Sequence, residues 1–324
     1  MNAQTIPYHL RPNKAVERNL FMDLLSIVNA YKKISDYAYI GLGGPFLEDF
    51  KGMHESFEVK RMISIEMIES VHKRQLFNAP VNCIDFLKKF SGEFIDDYVS
   101  EGNAIFWMDY SNPRETLTQL DEIRRLIPRL IPRDIVKITL NVNPLAFLGR
   151  PRGRIRPLEQ IREYRLRELE SRLPEYFPED VGPEMMDDNV YPAVICKAVE
   201  IAVKRGLEGF PGKIFQPLSL FLYADSRWSP MLTATGILLG KDDIAEFLTK
   251  TNIQSWKFAK TDWSPPIEIK VPQLSIRERL CIDSMLPLYA GNAIYRTFEY
   301  IDPVEIDNYI KYCRYYPYFS KVLL

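Results

Sequence analysis

The chain has 324 residues, 46% of them hydrophobic, enough to bury a large core in one big domain or two. Its 42 Lys and Arg against 43 Asp and Glu leave a net charge of -1, which argues against a protein that coats nucleic acid generally but leaves local patches open. Cys83, Cys196, Cys281 and Cys313 lie far apart without CxxC spacing, so zinc and a disulfide framework are disfavoured and a reducing compartment is the default.

No basic-then-apolar leader is read at the start, and no charge-free apolar run reaches membrane-spanning length, so a soluble, cytoplasmic protein without membrane partners is expected. Residues 1–13 are polar and broken by Pro7 and Pro12. From Lys14 the pattern predicts a helix, with Val16, Leu20, Phe21, Leu24, Leu25, Val28 and Tyr31 on one face. Tyr8, Arg11, Lys14 and Arg18 either line the mouth of a pocket or form a solvated basic start, and the solvated start is the favoured alternative. The organising stretch follows, from Tyr37 to Glu66. An apolar run (Tyr37 to Ile40) meets a glycine turn, Gly41-Leu42-Gly43-Gly44. A helix is predicted from Pro45 to Phe57, and a second run, Val59 to Ile65, closes on Glu66. A β-turn-α-β unit ending in an acid places a nucleotide-like ligand between close-approach glycine backbone and a carboxylate that accepts from ribose hydroxyls. The competing possibility is a tight corner with a solvated Glu66.

A helix is predicted from Met67 to Phe77, then a short strand, Val81 to Phe86, with Asp85 near its end. A helical stretch runs from Leu87 to about Val99. Asn103 to Asp109 is a buried strand with its carboxylate at the C-terminal end. Ser111-Asn112-Pro113 breaks the chain before a helix from Arg114 to Leu126. Asp134 to Val142 makes a fifth strand, with Asn141, Asn143 and Pro144 at its exit. This alternation predicts a doubly wound α/β fold with a parallel sheet, and ligands bind at the carboxyl ends of such strands.

Residues 145–213 break the rhythm and are expected to be a helical, arginine-rich insertion. Arg150, Arg152, Arg154 and Arg156 alternate with Pro151, Gly153, Ile155 and Pro157, which predicts extended chain. Arg162, Arg165 and Arg167 continue on a helix from about Leu158 to Leu173, before an acidic stretch and a second helix, Tyr191 to Lys204. These arginines either grip an anionic or nucleic-acid substrate or form a solvated face answering the neighbouring acids. Ile214 to Tyr223 and Met231 to Leu239 are strong β runs joined by a short polar turn, hence antiparallel neighbours. Beyond them, 241–324 is expected to be an appended, mostly helical segment following a 1–240 domain. It contains a helix from Asp242 to Thr249, a short strand at Ile267 to Val271, and a helix at Ile276 to Met285 with Arg277 and Arg279 exposed. The tail aromatics Tyr309, Tyr312, Tyr315, Tyr316, Tyr318 and Phe319 are favoured as packing groups over base-stacking ones.

Five parallel strands finished by an antiparallel hairpin form a specific arrangement. Over roughly residues 30–145 plus 214–240 it resembles the class I S-adenosylmethionine-dependent methyltransferase superfamily, Rossmann-like in fold. Within that superfamily it is similar to uncharacterised bacterial O-methyltransferases. The resemblance implies that Gly41, Gly43 and Gly44 cup the methionine end of the cofactor S-adenosylmethionine and that Glu66 holds the ribose. It further implies that Asp85 lies close to adenine with Phe86 as a stacking neighbour. The strand-four exit would then carry the chemistry: Asp109 and Asn112 catalytic, Tyr110 and Ser111 on the acceptor, with Arg150, Arg152 and Arg154 as further substrate contacts. The chain departs from the family pattern at Tyr39, where an acid is often found, and at Pro45, which replaces the third glycine. The motif for amino methylation is absent, since Asp109 is followed by Tyr-Ser-Asn-Pro. His9, His54 and His72 are scattered, so no metal site is expected. The implied activity is O- or N-methyl transfer to an unknown acceptor. The alternatives are a non-catalytic sensor or scaffold that keeps the pocket, and a nicotinamide-dependent oxidoreductase, which lacks a recognisable second catalytic domain.

Overall fold

The apolar runs of the N-terminal half become adjacent parallel strands, β1 (Ala38–Leu42), β2 (Arg61–Ile65), β3 (Ile84–Leu87), β4 (Ala104–Asp109) and β5 (Ile135–Asn141). The computed structural model describes residues 11–151, 157–226, 228–287 and 293–317. β6 (Lys213–Ala224) and β7 (Pro230–Gly240) form the expected hairpin, and β7 inserts antiparallel between β5 and β6. A last short strand, β8 (Ile267–Ile269), pairs parallel with β6, so the chain beyond residue 240 returns to the same sheet. The order across the eight strands is β3-β2-β1-β4-β5-β7-β6-β8. β1 and β4 are the innermost strands of the parallel half, which is why they read as nearly unbroken apolar runs.

Two cores cover the two faces. On one, Ile40, Phe106, Met108, Val136, Ile138 and Leu140 pack beneath α4 (Ser91–Asp97), α5 (Thr116–Leu126) and α8 (Tyr191–Gly206). On the other, Tyr39, Met62, Ile105, Trp107 and Ile135 meet α1 (Pro12–Val28) and α2 (Glu48–Phe57) through Phe21, Leu24, Leu25, Phe50 and Met53. Helix α3 (Glu69–Asn78) links β2 to β3, α6 (Pro144–Leu148) follows β5, and α7 (Leu158–Arg172) follows α6. Past β7 come α9 (Ile244–Thr251), α10 (Ile276–Met285), α11 (Ala293–Thr297) and α12 (Pro303–Tyr312), the last three around a core of Ile282, Ile294, Phe298, Ile306 and Tyr309. Among the described residues no helix is long and apolar enough to cross a membrane.

Several expectations are corrected. Gly41 is not in the turn but inside β1, paired with Ser64 and Trp107; Gly43-Gly44 lead on to a turn at Pro45-Phe46, and the helix expected from Pro45 begins at Glu48. β3 starts at Ile84, three residues later than expected, and Asp85 stands level with Ile63 rather than at the strand end. Arg279 is buried rather than exposed, with its guanidinium 4.6 Å from the centre of the Tyr316 ring. The tail tyrosines Tyr309 and Tyr312 are fully buried, whereas Tyr318 and Phe319 lie outside the described residues.

Candidate active site

Helix α1 begins at Pro12 without a side-chain cap from Arg11. The cap comes from across the molecule. Asp225, in the β6–β7 turn, accepts from the backbone N–H groups of Asn13 (2.9 Å) and Lys14 (3.2 Å). A carboxylate there satisfies orphan donors and complements the positive end of the helix. Arg11 Nε lies 3.4 Å from the same carboxylate. The Asn13 side chain donates to the Ala224 carbonyl (2.9 Å) and accepts from the Val271 N–H (2.8 Å), fixing the helix start to both β6 and the chain just past β8. Lys14, Glu17 and Arg18, spaced three and four apart, therefore project together onto the carboxyl edge of the sheet.

These three residues are buried, with 6%, 1% and 7% of their surface exposed, so the favoured solvated start is overturned. Lys14 Nζ lies 3.5 Å from Asp109 at the end of β4, and Arg18 Nη2 lies 3.7 Å from the same oxygen. Arg18 also grips Asp49, in the first turn of α2, with both arms of its guanidinium (2.5 and 3.0 Å). Deeper in, Lys137 of β5 donates to Glu17, which also accepts from Thr233 (3.1 Å). Three cations and three carboxylates thus form one buried network, and their charges balance. Burial lowers the Lys14 ammonium to about 8, helped by the neighbouring Arg18 charge and opposed by Asp109. Burial alone would raise the Asp109 carboxyl, but Lys14, Arg18 and Lys137 outweigh it and hold it below the usual carboxylate range.

The glycine turn and Glu66 stand at the same edge. Gly43 and Gly44 are pinned from behind by Gln75 of α3, whose amide donates to both carbonyls, and the Asn78 amide holds the Pro45 carbonyl at 2.7 Å. A Cβ on Gly43 would collide with Ser64 Oγ and come within 2.8 Å of Gln75 Nε2. The glycine at this position is therefore demanded by packing of the loop on β2 and α3. Gly43→Ala should lower unfolding free energy by about 1–3 kcal/mol, as overpacking does. Urea melts of Gly43→Ala and of Gly43→Ala/Ser64→Ala test this, with partial recovery expected in the double variant. Glu66 follows β2 directly, and its Oε1 accepts from the Ile68 N–H at 2.6 Å. Burial raises its carboxyl, and the Ile68 hydrogen bond and nearby His72 temper the shift. The apolar side chains of Met67 and Ile68 are exposed beside it.

The remaining expected site residues divide. Tyr110 is 7% exposed and donates to Glu122 of α5 at 2.7 Å, on the sheet face opposite Asp109, so it does not join the cluster. Burial and Glu122 raise its hydroxyl well above the ordinary value. Asn112 caps the turn that leads into α5. Its side chain accepts from the Arg114 N–H (3.1 Å) and donates to Glu115 (2.7 Å), which occupies the groups proposed for catalysis. Ser111 is exposed at the same exit. Asp85 is exposed along β3, and Phe86 packs against the α1-side core. Arg150 is exposed, while Tyr8, His9, Arg152, Arg154 and Arg156 lie outside the described residues. Further along the insertion, Arg162 pairs with Asp187 (2.8 Å) and Arg165 with Asp188 (2.7 Å), answering neighbouring acids. Missed by the sequence were Asp49, Lys137, Glu17, Asp225 and Gln75.

A family model described as "Putative O-methyltransferase" matches residues 6–324. No curated protein matches the sequence. Among solved structures, the chain is similar to the N-methyltransferase NodS from Bradyrhizobium japonicum WM9, at 9% identity over 69% of this chain and 97% of that one, with a TM-score of 0.37. It is similar to the Methanococcus jannaschii fibrillarin pre-rRNA processing protein, at 11% identity over 64% and 70%, TM-score 0.39. A probable spermidine synthase from Corynebacterium glutamicum ATCC 13032 matches at 9% identity over 84% of each chain, TM-score 0.38.

Proposed function

The chain belongs to this O-methyltransferase family, and from that membership we propose that it transfers a methyl group from S-adenosylmethionine to a nucleophilic oxygen. The observation that carries the cofactor assignment is a matched set of groups along one sheet edge. Glu66 offers acceptors for a ribose diol beyond β2, and a buried mixed-charge cluster stands beyond β4. The amino-acid end of the cofactor is a zwitterion. Lys14 and Arg18 suit its carboxylate and Asp109 suits its ammonium, while the exposed apolar groups of Met67 and Ile68 suit the adenine next to Glu66. When bound, the cofactor supplies an electrophilic methyl on a sulfonium. The protein then aligns the acceptor and excludes water.

Asp109 is assigned here to holding Lys14 and Arg18 rather than to deprotonating the acceptor. A carboxyl kept below its ordinary range by two adjacent cations is a weak base and a strong electrostatic anchor. The acceptor is proposed to be anionic, with Arg150 on the connection that leaves the sheet edge after β5 as its contact; loss of acceptor binding at high salt checks this. Calorimetric titration with S-adenosylmethionine, S-adenosylhomocysteine and NAD tests the cofactor assignment. The two sulfur ligands should bind and NAD should not, and Glu66→Ala should weaken binding by about 1–3 kcal/mol. Unchanged affinity in Glu66→Ala, or tighter binding of NAD, would reject it.

A further inference from the structure

We infer that the C-terminal segment sets the cofactor affinity of the site without touching it, by clasping α1 from outside through Asp23. One oxygen of this carboxylate, Oδ2, accepts from the Trp256 indole N–H and from the Tyr315 hydroxyl, both at 2.7 Å. One turn earlier, the Asn19 amide donates to the Tyr315 carbonyl at 2.8 Å. Asn19 and Asp23 stand four apart on the helix, as do Lys14 and Arg18. The two pairs lie on different faces, one held by chain more than 230 residues away and the other presented to the site.

The clasp is itself braced. Trp256 packs edge-on against Phe258 (5.6 Å between ring centres), Phe258 stacks on Tyr312 (5.6 Å, 13° between planes), and Tyr315 meets Phe258 edge-on at 5.7 Å. Burial raises the Tyr315 hydroxyl to about 12, and its bond to Asp23 adds to this, so it remains a donor across the working range of pH. The inner end of α1 is fixed by Asp225 and the outer face by Asp23, yet the Lys14 and Arg18 contacts to Asp109 are long for ion-paired hydrogen bonds. Arg18 is also clamped by Asp49, so what the outer contacts on the helix govern is how far both cations reach toward Asp109 at the sheet edge. Asp23, Trp256 and Tyr315 are therefore positioning residues that act through Lys14 and Arg18.

The inference rests on the proposal that those two cations bind the cofactor's carboxylate. Its test is a double-mutant cycle read by calorimetry with S-adenosylhomocysteine, together with thermal melts. Tyr315→Phe should weaken binding about 3-fold and Asp23→Ala about 10-fold, and both losses should shrink to under about 1.5-fold in a Lys14→Met/Arg18→Met background, the non-additivity expected of coupled groups. Tyr315→Phe removes one hydroxyl and carries the test if Asp23→Ala does not fold. Asp23→Asn, which keeps an acceptor oxygen, should restore most of the affinity. Losses of equal size in both backgrounds, or none in folded Tyr315→Phe, would overturn the clasp while leaving the cofactor assignment standing. Wild-type affinity in Lys14→Met/Arg18→Met would instead overturn the cofactor assignment, and the clasp's route with it.

Discussion

Replacing Lys137 with methionine should cost the fold about 3–5 kcal/mol, the usual penalty for removing one partner of a buried ion pair. Lys137 and Glu17 are 0% and 1% exposed at their side chains. Lys137 reaches Glu17 between two aromatic faces, with its ammonium 4.0 Å from the centre of Trp107 and 4.2 Å from that of Phe21. Burial lowers the lysine's tendency to hold its proton, and the Glu17 charge opposes this. Without the ammonium, Glu17 keeps, among the described residues, the Thr233 hydroxyl at 3.1 Å, and its Oε2 has no hydrogen-bond partner among them. A carboxylate so placed must lose its charge or draw water into the core. Chemical denaturation reads the loss directly. The variant Glu17→Leu/Lys137→Met should recover most of it, because a neutral, well-packed pair removes the desolvation penalty on both sides. A loss below about 1 kcal/mol in Lys137→Met would mean that the pair is hydrated and not part of the core.

The parallel strands were legible because buried central strands are largely apolar, and β1 and β4 show that most plainly, whereas β5 carries the buried Lys137 within its run. β3 was misplaced because it is short and borders only β2. Period-two alternation in Val81 to Phe86 fits either register, and the preceding turn consumed three residues assigned to the strand. Alternation did carry one usable warning at β4. Tyr110 is two residues past Met108 and so belongs to the opposite face from Asp109, which is where it is found, bonded to Glu122. The charge cluster was harder to see because its contacts join residues from 31 to 216 apart. A signal existed nonetheless. Counting back by threes and fours from Phe21, Leu24, Leu25 and Val28 lands on Arg18, Glu17 and Lys14, so the helix carries its charges in line with its buried stripe. The capping of α1 by Asp225 had no local signal at all, since a distant carboxylate does the work that a side chain at residue 11 would otherwise do.

Affinity for the cofactor should fall as pH rises through about 8, the value to which burial brings the Lys14 ammonium from the ordinary lysine value of 10.5. The direction follows from the role assigned to Lys14. A protonated side chain attracts the cofactor's carboxylate, and a neutral amine does not. Stability of the ligand-free protein should move the opposite way. Between about 8 and 10.5 the unfolded chain holds the Lys14 proton more firmly than the folded one. Unfolding therefore takes up a proton in that window, and this residue's contribution to stability rises with pH there. Asp109, held low, contributes in the acid range instead: its stabilisation is present above the ordinary carboxylate value and is lost as pH falls through its folded value. Calorimetry with S-adenosylhomocysteine from pH 6.5 to 9.5, on wild type and Lys14→Met, separates protein from ligand, because the ligand's own amino group titrates identically with both. The difference between the two profiles should be a single step near pH 8. Asp109→Asn should move that step to lower pH, since it removes the carboxylate that favours the charged lysine. Parallel profiles for wild type and Lys14→Met would show that Lys14 does not face the ligand, and the cationic half of the site would then rest on Arg18 alone.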